Sequence, residues 1–285
     1  MTATVAQLMP RVKLGPFTIS RLIVGGNPFS ANSHYTPALD GEMRDYHSAA
    51  RILETLHRCE RWGISAWQSR GDNHMMRLYH DHRIAGGSLL WIAQTASEHA
   101  DIKRNIANIA RAGAAAIYHH GTRTDSLWQE GRIEAVREYL QAIRDSGALV
   151  GLGTHIPEVI DYSESHGWDV DFYMACLYNL SRERRESPLV SGQPADMEQF
   201  VHTDRDLMCR VICQTDKTCL AFKVLAASRL SHNRAELRSA LSYAFSHIKP
   251  NDAIVVGMFD KYSDQVAENA RLTFELGQVN EAPRG

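Results

Sequence analysis

The stretch AIYHHGTRTD, residues 116–125, sets how the rest of the chain is read. From Ala114 an apolar run stops at two adjacent histidines, and a glycine and a polar turn follow. A short apolar run bounded by such punctuation reads as a buried strand leaving a core. The same unit recurs on both sides: RLIVGG (21–26), ISAWQS (64–69), SLLWIAQT (88–95), ALVGLG (148–153), DFYMACLYN (171–179), CLAFKVLA (219–226) and AIVVGM (253–258). Strands apolar on both faces belong to parallel sheets covered by helices.

Helical spacing fills the intervals. Ala49, Ile52, Leu53, Leu56 and Cys59 mark a helix over 46–62, and Ile133, Val136, Leu140 and Ile143 mark another. Further helices are expected over 72–82 (weakly patterned), 98–112, 157–166, 199–213, 233–247 and 263–276. RVKLGPFTIS (11–20) reads as a hairpin around Gly15-Pro16. Eight strand–helix units after a hairpin predict an α/β fold: a (β/α)8 TIM barrel with an N-terminal β-hairpin, spanning 1–285 as one domain with a loose tail from about 277. A doubly wound open sheet is the alternative, but no GxGxxG follows the first strand.

With a net charge of -2, the chain has no electrostatic footprint for nucleic acid or an anionic membrane. Neither a signal peptide nor a membrane-spanning run is read. Five cysteines without CxxC spacing are expected to be buried free thiols in a reducing cytosol. The expected partner is a small-molecule substrate, and nothing in the sequence sets an oligomeric state.

In such a barrel, chemistry sits where strands end. The groups there are Asn27, His34 and Tyr35; Gln68, Arg70, Asp72, Asn73 and His74; Gln94-Thr95; His119 and His120; Thr154 and His155; Tyr178 and Asn179; Lys223; and Asp260 and Lys261. Successive strand residues face opposite sides, so only one of His119 and His120 faces the axis, and His120 is the expected one. The polar stretch 180–196, with Arg182, Arg184 and Arg185, reads as a lid.

The motifs KLGPFTISRLIVGG, GISAWQS, GLGTHIPEVI, LYNLS, FKVLAASRL and VVGMFDKYSDQVAENARL, taken in order, resemble the aldo-keto reductase superfamily over nearly the whole chain. The resemblance implies a catalytic Asp, Tyr, Lys and His, and NADP. Counting from Gly63, the Asp position falls on Gln68, the Tyr position on Asn73 and the Lys position on Gln94 or Thr95. Only the His position holds, at His120, with His119 as the other candidate. An amide at 73 cannot donate a proton as a tuned phenol can. The nicotinamide contacts read Gly153, Thr154 and Ala175 here, whereas Gln265, Glu268 and Asn269 persist on the adenine side of the last helix.

The expectation is therefore an aldo-keto-reductase-like enzyme that has lost nicotinamide redox chemistry, a lyase or isomerase acting on a small polar carbonyl or sugar-like compound. His120 is the expected general acid or base, partnered by His74, His155 or Lys223. Asn27, His34, Gln68, Arg70, Asn73, Gln94, His119 and Asn179 are the expected substrate contacts. His74, His120 and His155 are also candidate ligands of a divalent metal such as zinc. Lys223 reads as an anion contact, a proton donor or a Schiff-base amine, or as one half of a salt bridge. Two other readings stay open: an NADP-dependent carbonyl reductase with a rebuilt proton donor, holding its cofactor with Gln265 and Asn269, and a non-catalytic barrel that binds a ligand or partner.

Overall fold

The computed structural model describes residues 9–183 and 198–279; residues 184–196 of the expected lid, with Arg184 and Arg185, lie outside the described residues, as do residues 1–8 and the end of the tail. β1 (Arg11–Leu14) and β2 (Phe17–Ser20) form an antiparallel hairpin whose turn residue Gly15 has a φ of 55°. Eight strands follow: β3 (Leu22–Gly25), β4 (Ala66–Arg70), β5 (Leu90–Gln94), β6 (Ala116–His119), β7 (Leu149–Thr154), β8 (Phe172–Cys176), β9 (Thr218–Phe222) and β10 (Ala253–Gly257). Each pairs in parallel with the next, and β10 closes on β3, so the chain is a (β/α)8 barrel with an N-terminal hairpin. The surrounding helices are α1 (Pro37–Tyr46), α2 (Ala49–Arg61), α3 (Asn73–Ile84), α4 (Ile102–Arg111), α5 (Gly121–Gln129), α6 (Val136–Asp145), α7 (Pro157–Ser165), α8 (Thr203–Gln214), α9 (Arg234–His247) and α10 (Gln265–Leu276).

Strand alternation divides the core into two layers. Ile23, Ala66, Ile92, Ala116, Tyr118, Phe172, Met174, Leu220 and Val255 fill the barrel, and Val12, Leu14 and Ile19 of the hairpin pack into the same cluster. The hairpin lies at the strand starts: Thr218 Oγ1, opening β9, donates to the Lys13 carbonyl at 3.0 Å. It packs across the lower end of the barrel, opposite the C-terminal mouth. Side chains of the other parity, among them Trp67, Trp91, Ile117, Val150 and Tyr173, pack outward against the helices. Arg21 is buried below and donates to the carbonyls of Asp252, Lys249 and Gly277, which ties the start of the tail to the barrel.

Two helices were invisible to apolar periodicity. In α1 the only buried residue is Met43, and the helix is set instead by Thr36, whose hydroxyl accepts from Leu39 N, and by Pro37 at its first turn. In α5 the buried face is polar, with Thr122, Thr124, Asp125 and Ser126 turned inward, so no hydrophobic stripe betrays it. Cys59, Cys176, Cys209 and Cys219 are buried free thiols as expected, but Cys213 is exposed. No helix among the described residues is long and apolar enough to cross a membrane.

Candidate functional site

At the C-terminal mouth, Asn27, Asn32, His34, Arg70, Gln94, Tyr118, His120, Gly121, Thr122, Gly153, His155, Phe222 and Lys223 line a cavity of about 60 Å3. Six expected groups therefore meet here with His120 and His155: Asn27, His34, Arg70, Gln94 and Lys223 directly, and Gln68 one layer below through Tyr118. Gln68 Nε2 donates to the Tyr118 hydroxyl at 2.7 Å. Burial pushes the Tyr118 phenol far above its ordinary range.

The two adjacent histidines, His119 and His120, part company. His119 is the last residue of β6 and faces outward, stacked on Tyr139 at 5.0 Å, with Nδ1 2.8 Å from the Thr124 hydroxyl. It lines neither this cavity nor the cavities of about 320 and 330 Å3, contrary to the expectation that it meets substrate. Burial pulls its imidazole down to about 3, so it stays neutral in the helix layer. His120 lines the cavity and caps α5, its Nδ1 accepting from Arg123 N at 3.3 Å. A cap on the first turn of a helix that begins at the strand end fixes both the ring and its tautomer.

His155 follows β7 and is held by Asp125 of α5. Its Nδ1 lies 2.6 Å from Asp125 Oδ2, and the carboxylate also accepts from the hydroxyls of Thr154 (2.5 Å) and Ser181 (2.7 Å). Asp125 is buried, and these donors satisfy its oxygens. Sequence reasoning missed Asp125 because it sits on the polar-faced helix α5. The GTRTD spacing, which returns an acid four residues after Gly121, is the only signal that could have found it. Gly153 lets β7 approach α5 closely. A Cβ there would lie 2.8 Å from the His119 carbonyl oxygen and 3.1 Å from Gly121 N. Gly153→Ala is expected to cost about 1–3 kcal/mol, read as a lower urea midpoint at unchanged m-value.

Lys223 is paired as well as placed. Its Nζ lies 3.1 Å from Glu198 Oε2, and His34 Nδ1 lies 3.0 Å from the other oxygen of the same carboxylate. Lys223 (φ 59°) and His34 (φ 56°) both hold left-handed backbone, a strain found where surroundings over-determine a site. Arg70, inside the end of β4, pairs with Asp72 (3.3 Å) and with Glu98.

Several expectations fail. His74 and Asn73 are exposed on the first turn of α3, because Asp72 caps that helix and turns them to solvent. Neither lines the mouth. Asn179 belongs to a different cavity of about 320 Å3 between α7 and α8, its side chain accepting from Ser181 N. Arg182 pairs with Asp204 in the same region. His74, His120 and His155 do not form a metal site. Among the described residues the one group of three His, Cys, Asp or Glu side chains with converging ligand atoms lies elsewhere, on α2 and α3. Asp260 pairs with Arg58, and Lys261 with Glu42.

A larger cavity of about 330 Å3 shares Asn27, Asn32, His34 and Lys223 with the mouth and runs along residues 223–232 to Gln265, Glu268 and Asn269. It follows the groove in which the resemblance puts NADP. Overall, the chain superposes on the glycerol dehydrogenase AKR11B4 from Gluconobacter oxydans at 11% identity, covering 100% of this chain and 98% of that one, with a TM-score of 0.53. The fold is aldo-keto-reductase-like. At that identity the likeness speaks for the fold alone. No protein-family model matches the chain, and no curated protein sequence matches it.

The two ends of the groove offer a nicotinamide dinucleotide different groups at the positions that the resemblance picks out. On the adenine side, the buried Asn269 Oδ1 has no hydrogen-bond partner, so it can accept from a ligand amino group in the cavity. Gln265 is engaged, its Oε1 accepting from Phe259 N at 2.8 Å. On the nicotinamide side, Gly153 has no side chain, Ala175 has no polar one, and the Thr154 hydroxyl is committed to Asp125. None of these three positions offers an uncommitted polar side chain.

Proposed function

We propose that the chain is an enzyme that moves protons on a small polar carbonyl or polyol compound, as a lyase or isomerase. One observation carries this reading: two histidines lining one cavity are held by opposite hydrogen bonds. Asp125 accepts a hydrogen bond from Nδ1–H of His155, which leaves Nε2 as the basic nitrogen. In His120, Nδ1 is the acceptor of a backbone amide, so its proton resides on Nε2. His155 is thus assigned as the base and His120 as the acid. As His155 accepts a proton, Asp125 stabilises the imidazolium. Gln94, Asn27 and Asn32 suit hydroxyl groups of the substrate, and the Arg70 guanidinium suits a carbonyl oxygen gaining negative charge.

The test is a panel of small hydroxyketones, aldoses and hydroxy acids in D2O, followed by proton NMR. One class is expected to exchange a carbon-bound proton or turn over with no change in NADPH absorbance. His120→Ala should abolish this while the circular-dichroism spectrum stays native. Unchanged turnover in that variant would sink the assignment.

A second reading, an NADP-dependent carbonyl reductase, is favoured by the adjoining cavity and the unpartnered Asn269 oxygen. Tyr118 would be its phenol, though burial makes that phenol a reluctant acid. Titrating NADPH against the fluorescence of the five tryptophans separates the two. Saturable micromolar quenching would favour the reductase. The proton-transfer reading expects none up to millimolar cofactor.

A further inference from the structure

Outside the mouth, α2 and α3 bring a second set of donor groups together. His57 and Glu60 stand three residues apart on one face of α2, and His82 is in the last turn of α3. His57 Nδ1 lies 2.9 Å from Glu60 Oε2, and His82 Nε2 lies 3.5 Å from Glu60 Oε1. The two imidazole rings are 4.8 Å apart, and one ligand atom from each of the three residues falls within 4.8 Å of the others.

His82 makes this more than a polar cluster. It is fully buried, yet neither ring nitrogen makes a hydrogen bond of acceptable geometry. A buried imidazole left so is costly, and buried polar groups without partners call for an explanation. The neighbourhood is shaped to seat that ring. A Cβ at Gly87 would lie 2.2 Å from His82 Nε2, so only glycine fits beside it. The Ser88 hydroxyl donates to Glu60 Oε1 at 2.9 Å and orients the carboxylate, as outer partners of metal ligands do.

We propose that His57, Glu60 and His82 bind a divalent transition-metal ion of the zinc type, with a fourth position open to water. Two neutral imidazole nitrogens and one carboxylate suit Zn2+, Co2+ or Ni2+, whereas Mg2+ and Ca2+ prefer all-oxygen sets. The ion would staple α2 to α3 behind β4, apart from the catalytic mouth.

Chelator-treated protein would be titrated with Zn2+ by calorimetry, alongside His57→Ala and Glu60→Gln, which alter partly exposed positions on α2. Wild type is expected to take one Zn2+ per chain, and each variant to bind at least about tenfold more weakly. Zn2+ should raise the melting temperature of wild type and not that of the variants. Absence of Zn2+ binding to wild type would overturn the proposal. So would equal affinity and stoichiometry in all three proteins, since the ion would then sit on other histidines or cysteines.

Discussion

Asp125→Asn is expected to cut turnover of the substrate class found by the exchange screen by about 10^2–10^4-fold, with the barrel still folded. The carboxylate accepts the Nδ1 proton of His155 and two hydroxyl protons, all at 2.5–2.7 Å. An amide of the same shape can accept at one atom only. If its NH2 turns to His155, the ring must present an unprotonated Nδ1, and its proton moves to Nε2. The base then has no lone pair on the side where the reading needs it. If its oxygen turns to His155, the tautomer survives but the imidazolium loses its counter-charge. Either way kcat should fall, and the acid limb of the pH profile should move. Circular dichroism and a thermal melt would separate this from unfolding. A kcat within about threefold of wild type would reduce Asp125 to a structural group and remove His155 as the base.

The second large effect is on acid stability. Burial holds His119 down to about 3 and His47 to about 4, against 6.5 in the unfolded chain. For a depressed pKa, the contribution to stability is complete above pH 6.5. It is lost as pH falls, because the unfolded chain takes up protons that the folded chain refuses. The slope is about 1.4 kcal/mol per pH unit for each histidine, since one unit of pKa is 1.36 kcal/mol. His119→Gln keeps a partner for the Thr124 hydroxyl and removes the titration. Its stability, measured in urea at pH 6, 5 and 4, should fall less steeply than that of wild type by about 1.4 kcal/mol per pH unit. Parallel lines for the two proteins would show that His119 is protonated in the fold. His47 adds in the same direction. It sits among Phe29, Tyr46 and Phe259, with neither nitrogen hydrogen-bonded.

Legibility differed by element. All eight barrel strands stood out because a strand buried on both faces must be apolar at every position, and local composition records that. The hairpin was legible from Gly15-Pro16. α1 and α5 were not, because their burial is polar or slight and their signal lies in caps. Strand alternation allowed only one of His119 and His120 to face the axis; the structure shows why it is His120, which shares its parity with the inward Tyr118. His74 and Asn73 were misplaced for a related reason. Their nearness to a strand end is a fact of sequence, but Asp72 starts a helix there and its geometry points them outward. The three-histidine metal set failed because histidines from different loops share a rim only if their backbones do.

By itself, then, the sequence determined the barrel, its N-terminal hairpin and the strand that delivers His120, because burial writes a periodic pattern into neighbouring residues. Only the tertiary structure decided that Asp125 holds His155, that Glu198 binds Lys223 and His34 together, and that His82 meets His57 and Glu60. Those pairings join residues between 22 and 164 positions apart. A contact across such a distance depends on how helices pack on the sheet, and no local pattern encodes it.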